Sequence, residues 1–160
     1  MTARGYFSDR RQRTRMKPVE SSVVIKQPIE VCFAYLSDLG NDVEWRREWV
    51  AAEKTSEGPA GVGARYRLTA EVLGRPVATE YETIAYEPTR LAAWKAVSGP
   101  LPLTFSRAFE SVDGGTRVTM RYEMEMRALV RLAAPLLARM GRRQLEGDYP
   151  KLTQLLEKAS

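Results

Sequence analysis

The stretch from Leu129 to Lys158 constrains this chain more than any other. Leu129, Leu132, Leu136, Met140, Leu145, Tyr149, Leu152 and Leu156 recur in steps of three to five, with Leu137 and Leu155 beside them. Such steps hold apolar side chains to one broad stripe of a helix. Arg131, Arg139, Arg142, Arg143, Gln144, Lys151 and Lys158 fall mostly elsewhere. At the rise of an α-helix the stretch makes a rod of roughly 45 Å. A stripe that long needs a surface to lie on. The chain before it reads mostly as strands, so the expected surface is a curved sheet, with a cavity between sheet and helix. Pro135 and Pro150 interrupt the pattern, and an interior proline removes a backbone bond and clashes one turn back. The helix is therefore expected to kink near Pro135, or to begin near Ala134 with Pro135 in its first turn. Distortion is expected near Pro150. Gly141 and Gly147 weaken it by about 1 kcal/mol each relative to alanine.

The chain has 160 residues, which suits one domain. It has no histidine and one cysteine, which removes the usual nitrogen and sulfur ligands of zinc and related metals. The serine–histidine and cysteine–histidine pairs of nucleophilic catalysis go with them. No metal or other cofactor is expected, and any acid–base chemistry falls to carboxylates, tyrosine, lysine or bound water. Cys32 cannot form an internal disulfide, and Val31, Phe33 and Leu36 around it mark a buried thiol. A reducing cytoplasm is the expected compartment. No apolar segment follows the charged N-terminus, so no signal peptide is expected. No apolar run approaches the about 20 residues that span a bilayer.

Residues 1–18 hold Arg4, Arg10, Arg11, Arg13, Arg15 and Lys17 against Asp9 alone, which accounts for the whole formal net charge of +5. They are polar and aperiodic, so 1–18 reads as a disordered basic arm and 19–160 as the folded domain. The arm has the charge for contact with nucleic acid or an anionic membrane, and a solvated tail is the preferred reading. Acids and bases balance over the remainder, so the folded body carries no nucleic-acid footprint.

Val19 to Lys26 reads as a first strand. Pro28 suits the first position of a helix, and Ile29, Cys32, Phe33 and Leu36 give that helix one apolar face. Asp38-Leu-Gly-Asn-Asp42 breaks it, and a second short helical turn runs to about Trp45. A weaker strand follows over Glu48 to Ser56, then a glycine-rich turn, Gly58 to Gly63. That turn precedes a strand and lacks the lysine of a phosphate loop. Tyr66, Leu68, Ala70 and Val72 then alternate with Arg65, Arg67, Thr69 and Glu71. Val77, Thr79, Tyr81, Thr83 and Ala85 alternate with Ala78, Glu80, Glu82, Ile84 and Tyr86. Leu91 to Val97 is a strand whose facing stays open, because Trp94 is out of phase with Leu91 and Val97. Phe105, Arg107 and Phe109 share a face. Asp113-Gly-Gly-Thr116 signals a hairpin, and Val118, Met120, Tyr122, Met124 and Met126 share a face beyond it. Clean alternation between short turns predicts an antiparallel sheet with one wet face.

The order of strand, two short helices, antiparallel strands and long final helix resembles the START-like, birch-pollen-allergen-like superfamily. Within it, the chain is most similar to the polyketide cyclase/dehydrase and lipid-transport family. The resemblance is carried by Val24-Ile-Lys-Gln-Pro-Ile-Glu-Val-Cys-Phe33, by Asp38 through Asn41 to Trp45, and by Gly61-Val-Gly-Ala-Arg-Tyr66. Tyr86-Glu-Pro88 with Leu91, Gly114-Gly-Thr-Arg-Val118 and Leu152 to Leu156 complete it. It covers about residues 19–158 and rests on order and spacing. It implies an α+β helix-grip fold, in which a curved antiparallel sheet wraps around the C-terminal helix.

The resemblance also implies a pocket between sheet and helix. Tyr66, Leu68, Tyr81, Phe105, Arg107, Tyr122 and Met124 are expected to line it from the sheet. Leu136 and Met140 are expected to close it from the helix, with Trp45 and Trp49 at its mouth. Such a cleft suits a small hydrophobic ligand, and tyrosine adds one orienting hydroxyl to an apolar body. Arg107 is the odd member. Buried without a partner it would be costly, so it meets a carboxylate or a ligand acid, reaches the rim, or is turned outward by a bulge. A binder or carrier of a lipid, polyketide or isoprenoid is the first reading, with no catalytic residue assigned. A polyketide cyclase or dehydratase using the tyrosines and Arg107 is the alternative, and an interaction module docking through its arm is the third. Nothing in the sequence fixes an oligomeric state.

Overall fold

Alternating residues make the strands, and short turns keep most of them next to their sequence neighbours. The computed structural model describes residues 17–100, 102–125 and 134–158. The strands are β1 (Val19–Ile25), β2 (Trp49–Lys54), β3 (Arg65–Val72), β4 (Arg75–Glu87), β5 (Leu91–Ser98), β6 (Leu103–Val112) and β7 (Gly115–Met124). They form one antiparallel sheet in the order β1-β7-β6-β5-β4-β3-β2. Helix α1 (Ile29–Leu36) and a 3-10 turn (Leu39–Glu44) lie between β1 and β2, and α2 (Ala134–Lys158) ends the chain. This is the expected helix-grip, α+β fold. The arm through Met16, and Met126, Leu129 and Leu132 of the expected patterns, lie outside the described residues.

Local chemistry sets the corners. Pro28 flanks α1 just before its first turn, and its carbonyl accepts from Val31 and Cys32 N–H. Asp38 caps the 3-10 turn by accepting from Gly40 N–H at 2.9 Å. Gly115 opens β7 directly under the end of β1. A Cβ there would lie 2.1 Å from the Ile25 carbonyl oxygen, so only glycine lets the two backbones meet. Gln27 is buried beside it. Its amide donates to the Leu156 carbonyl at 2.8 Å, and its own carbonyl accepts from the Thr116 hydroxyl at 2.8 Å. One corner thus ties β1, β7 and the end of α2 together.

The inner sheet face carries Tyr66, Leu68, Tyr81, Trp94, Phe105, Phe109, Val118 and Met120, all buried against α1, the 3-10 turn and α2. The facing of β5 is now fixed. Ala92 and Trp94 point inward, and Leu91 and Ala93 join a small outer cluster. Alternation fails within β4. The pairing of β4 with β5 slips between Thr83 and Ala85, and a bulge reverses the facing beyond it. Ala85 consequently packs in the outer cluster, while Tyr86 turns inward to Phe33, with ring centres 5.2 Å apart.

In α2, Pro135 falls near the start of the described helix and Pro150 lies inside it. Pro150 costs one internal bond, yet Leu145, Tyr149, Leu152 and Leu156 are all buried around it. The expectation of a single apolar stripe needs correction. The step from Met140 to Leu145 is five residues, which turns the helix by about 140°. Leu136 and Met140 therefore lie roughly opposite Leu145, Leu152 and Leu156, and they are 61% and 58% exposed. Half-buried Ala134 and Ala138 occupy the side continuous with Leu145.

Candidate functional site

The register places an aromatic band across the inner face. Trp49 at the start of β2 meets Tyr81 of β4 at 6.4 Å, and Tyr81 meets Phe105 of β6 edge-on at 5.4 Å. Phe105 stacks between Tyr122 of β7 at 5.5 Å and Trp94 of β5 at 5.1 Å. Alternation puts these side chains on one face, and pairs such as Phe105–Tyr122 and Tyr66–Tyr81 sit directly opposite in the ladder. Tyr66, Leu68, Tyr81 and Phe105 are buried, whereas Trp49, Tyr122 and Met124 are half-buried. Ala52, Ala96 and Leu103 share that partial cover and pack against the same core. The inner face is thus closed toward α1 and less covered toward Trp49, Leu103 and Met124.

Two arginines sit behind the band in different settings. Arg107 is fully buried. Its guanidinium forms a bidentate pair with Asp42, at 2.9 and 2.5 Å, and donates to the Leu36 carbonyl at 2.8 Å. Trp94 and Trp45 flank it at 5.3 and 5.4 Å. Burial pulls its pKa down, and Asp42 more than offsets that, leaving it raised. The arginine is charged and committed to fastening the 3-10 turn to β6.

Arg46 is shared among more partners. Its Nη1 donates to the Tyr122 hydroxyl oxygen at 2.7 Å, its Nη2 contacts Glu48, and its Nε lies 3.3 Å from Asp148 of α2. Arg47 reaches the same carboxylate at 2.9 Å. Burial again pulls the Arg46 pKa down, and Tyr122, Glu48, Asp42 and Asp148 more than restore it. Burial raises the Glu48 pKa, with Arg46 opposing and Asp148 and Asp42 adding. Tyr81 is also held above the ordinary phenol value, first by burial, then by Glu48 and Tyr122. Outside this cluster a groove of about 630 Å³ runs between the 3-10 turn and α2, bordered by Trp45, Arg46, Trp49, Asp148 and Lys151.

The structure brings Trp45, Trp49, Tyr66, Leu68, Tyr81, Phe105, Arg107 and Tyr122 into one inner cluster, and pairs Met124 with Leu103 at the less covered end. Leu136 and Met140 stand apart on the outer side of α2. Four polar members were not singled out from the sequence: Asp42, Arg46, Glu48 and Asp148. A signal for two of them existed in Trp45-Arg-Arg-Glu-Trp49, where charges are held between two tryptophans. Among the described residues, no group of three His, Cys, Asp or Glu side chains is placed to hold a metal.

Known structures share this architecture. The protein TTHA0849 from Thermus thermophilus superposes with a TM-score of 0.75 at 19% identity, covering 90% of this chain and 99% of its own. A START superfamily protein from Mycobacterium smegmatis gives 0.75 at 14%, covering 89% and 99%. The Zhui aromatase/cyclase from Streptomyces sp. R1128 gives 0.60 at 18%, covering 89% and 88%. At these identities the likeness is one of fold. Among curated proteins the sequence finds no match. The family model described as polyketide cyclase / dehydrase and lipid transport matches residues 16–157. With nearly the whole folded chain inside that match, the protein belongs to the polyketide cyclase/dehydrase and lipid transport family.

Proposed function

We propose that this protein binds and carries a small, neutral, hydrophobic molecule of the lipid, polyketide or isoprenoid kind between the aromatic band and α2. The carrying observation is the uneven cover of the inner face. Trp49, Ala96, Leu103, Tyr122 and Met124 are apolar or aromatic, face inward and are only half-buried. Ala134 and Ala138, on the side of α2 continuous with Leu145, are small and likewise only half-buried. Charge supports a neutral ligand. Arg107 faces Asp42, and Arg46 faces Glu48 and Asp148, so a ligand acid would have to displace a resident carboxylate.

Native against denaturing mass spectrometry of freshly purified protein, with uptake of a hydrophobic fluorescent probe, tests this. Bound mass lost on denaturation, or saturable probe uptake abolished by Ala138→Trp, is the expected result. Bare protein with no saturable uptake rejects the reading.

One contact favours cyclase or dehydratase chemistry as the second reading. Because Arg46 donates to the Tyr122 oxygen, the phenol hydrogen remains free to donate to a ligand carbonyl. A guanidinium 2.7 Å behind that oxygen would support negative charge developing there. Turnover of a polyketide-like substrate that falls at least roughly 100-fold in Tyr122→Phe, with binding retained, would favour this reading over simple carriage.

A further inference from the structure

We infer that the exposed face of the first half of α2 is a docking surface for anionic lipid bilayers. Leu136 and Met140 lie one turn apart, with Leu137 beside them, and they are 61%, 58% and 40% exposed. Arg139 and Arg143 form the neighbouring row at the same spacing, also exposed, with Arg142 next to them. Arg142 pairs with Glu146 at 3.0 Å. In the sequence no carboxylate lies between Glu125 and Glu146. A helical face with protruding aliphatic side chains beside a basic row has the composition of an interfacial helix.

The alternatives fit less well. The grip does not need these residues, because they point away from the buried side. Two-fold self-association through this face would set Arg139 and Arg143 against their own copies. A folded protein partner would need a groove matched to a convex rod, whereas a bilayer yields to it. Each arginine adds attraction to an anionic leaflet, and the leucines and Met140 supply the insertion. No helix among the described residues is long and apolar enough to cross a membrane, so the contact is one of surface.

Full-length protein would be sedimented with vesicles of pure phosphatidylcholine and of phosphatidylcholine with about 30% phosphatidylglycerol, a strongly anionic surface. Binding is expected on the anionic vesicles only, and it should weaken as salt rises. Arg139→Glu with Arg143→Glu should weaken it at least roughly 30-fold, since each lost charge is worth several-fold and the reversal adds repulsion. Leu136→Gln with Met140→Gln should weaken it roughly 10-fold. Both pairs are expected to keep the thermal midpoint and the ligand mass of the parent, which separates this surface from the internal site. Equal binding of parent and both variants would assign the contact to the basic arm and overturn the inference. So would the absence of vesicle binding. A dimer dissolved by Leu136→Gln with Met140→Gln would assign the face to a second copy instead.

Discussion

Arg107 and Arg46 offer two ways of placing a guanidinium inside a protein. Arg107 has one carboxylate in bidentate register, one backbone carbonyl and two indole rings around it. It stands in the part of the interior where cover is complete. Arg46 divides its donors among Tyr122, Glu48 and Asp148, beside half-buried Trp49 and Tyr122. The first arrangement holds both terminal nitrogens of Arg107 on one carboxylate and one carbonyl, so it fixes geometry. The second spreads its contacts over three side chains at the less covered end of the inner face, where Trp49 and Tyr122 are half-buried.

The sharpest way to break this comparison is Arg107→Ala. It strands Asp42 in the interior, and losing one partner of a buried pair costs about 3–5 kcal/mol. Denaturant unfolding is expected to show that loss, and a smaller loss in Arg46→Ala would support the distinction. Next, Gly115→Ala should cost about 3 kcal/mol, the upper range for overpacking, because the obstructing atoms belong to the Ile25 backbone. An unchanged midpoint would mean that the closed end yields more than its contacts suggest.

Alkaline pH gives a third test. Burial pushes the Tyr149 phenol up to about 12, opposed in part by Ser21, and it also raises Tyr66 and Tyr81. Unfolded tyrosines ionise near pH ~10. Below that pH both states keep these protons. Above it the unfolded state loses them first, so stability falls from pH ~10 upward, by on the order of 2 kcal/mol for Tyr149 alone. Phenolate absorbance during alkaline unfolding would check it. Delayed ionisation that appears together with loss of structure is expected, and free titration at the ordinary phenol pH in the folded protein would contradict the packing. The smallest effect is expected at the less covered end. Tyr122→Phe should cost only about 1 kcal/mol in stability while changing ligand affinity or turnover, the reverse of Arg107→Ala.

Alternation made much of this interior legible. Arg107 shares its phase with Phe105 and Phe109, and that alone pointed it inward. Its partner could not be read the same way. Asp42 lies in a polar Gly-Asn-Asp segment that resembles a plain breaker, and the two are 65 residues apart. Arg46 and Glu48 sit in a run too short for any period to emerge. The facing of Tyr86 was hidden for another reason, since a bulge inserts a residue without changing composition. In α2 the apolar spacing was visible, but a single five-residue step was enough to turn Leu136 and Met140 away from the sheet.

The seam between β1 and β7 bears on how the chain assembles in time. Strands β3 to β7 are each added next to the strand just made, so their pairing closes only short loops. β1 has no such neighbour, and Ser22 and Thr119, which meet across the seam at 2.9 Å, are 97 residues apart in the chain. Closing so large a loop is entropically costly and slows folding. During synthesis β1 and the apolar face of α1 emerge first, yet their partners Gly115 to Tyr122 and Leu156 emerge near the end. The corner at Gly115 and Gln27 is therefore where the rate of folding is expected to be set.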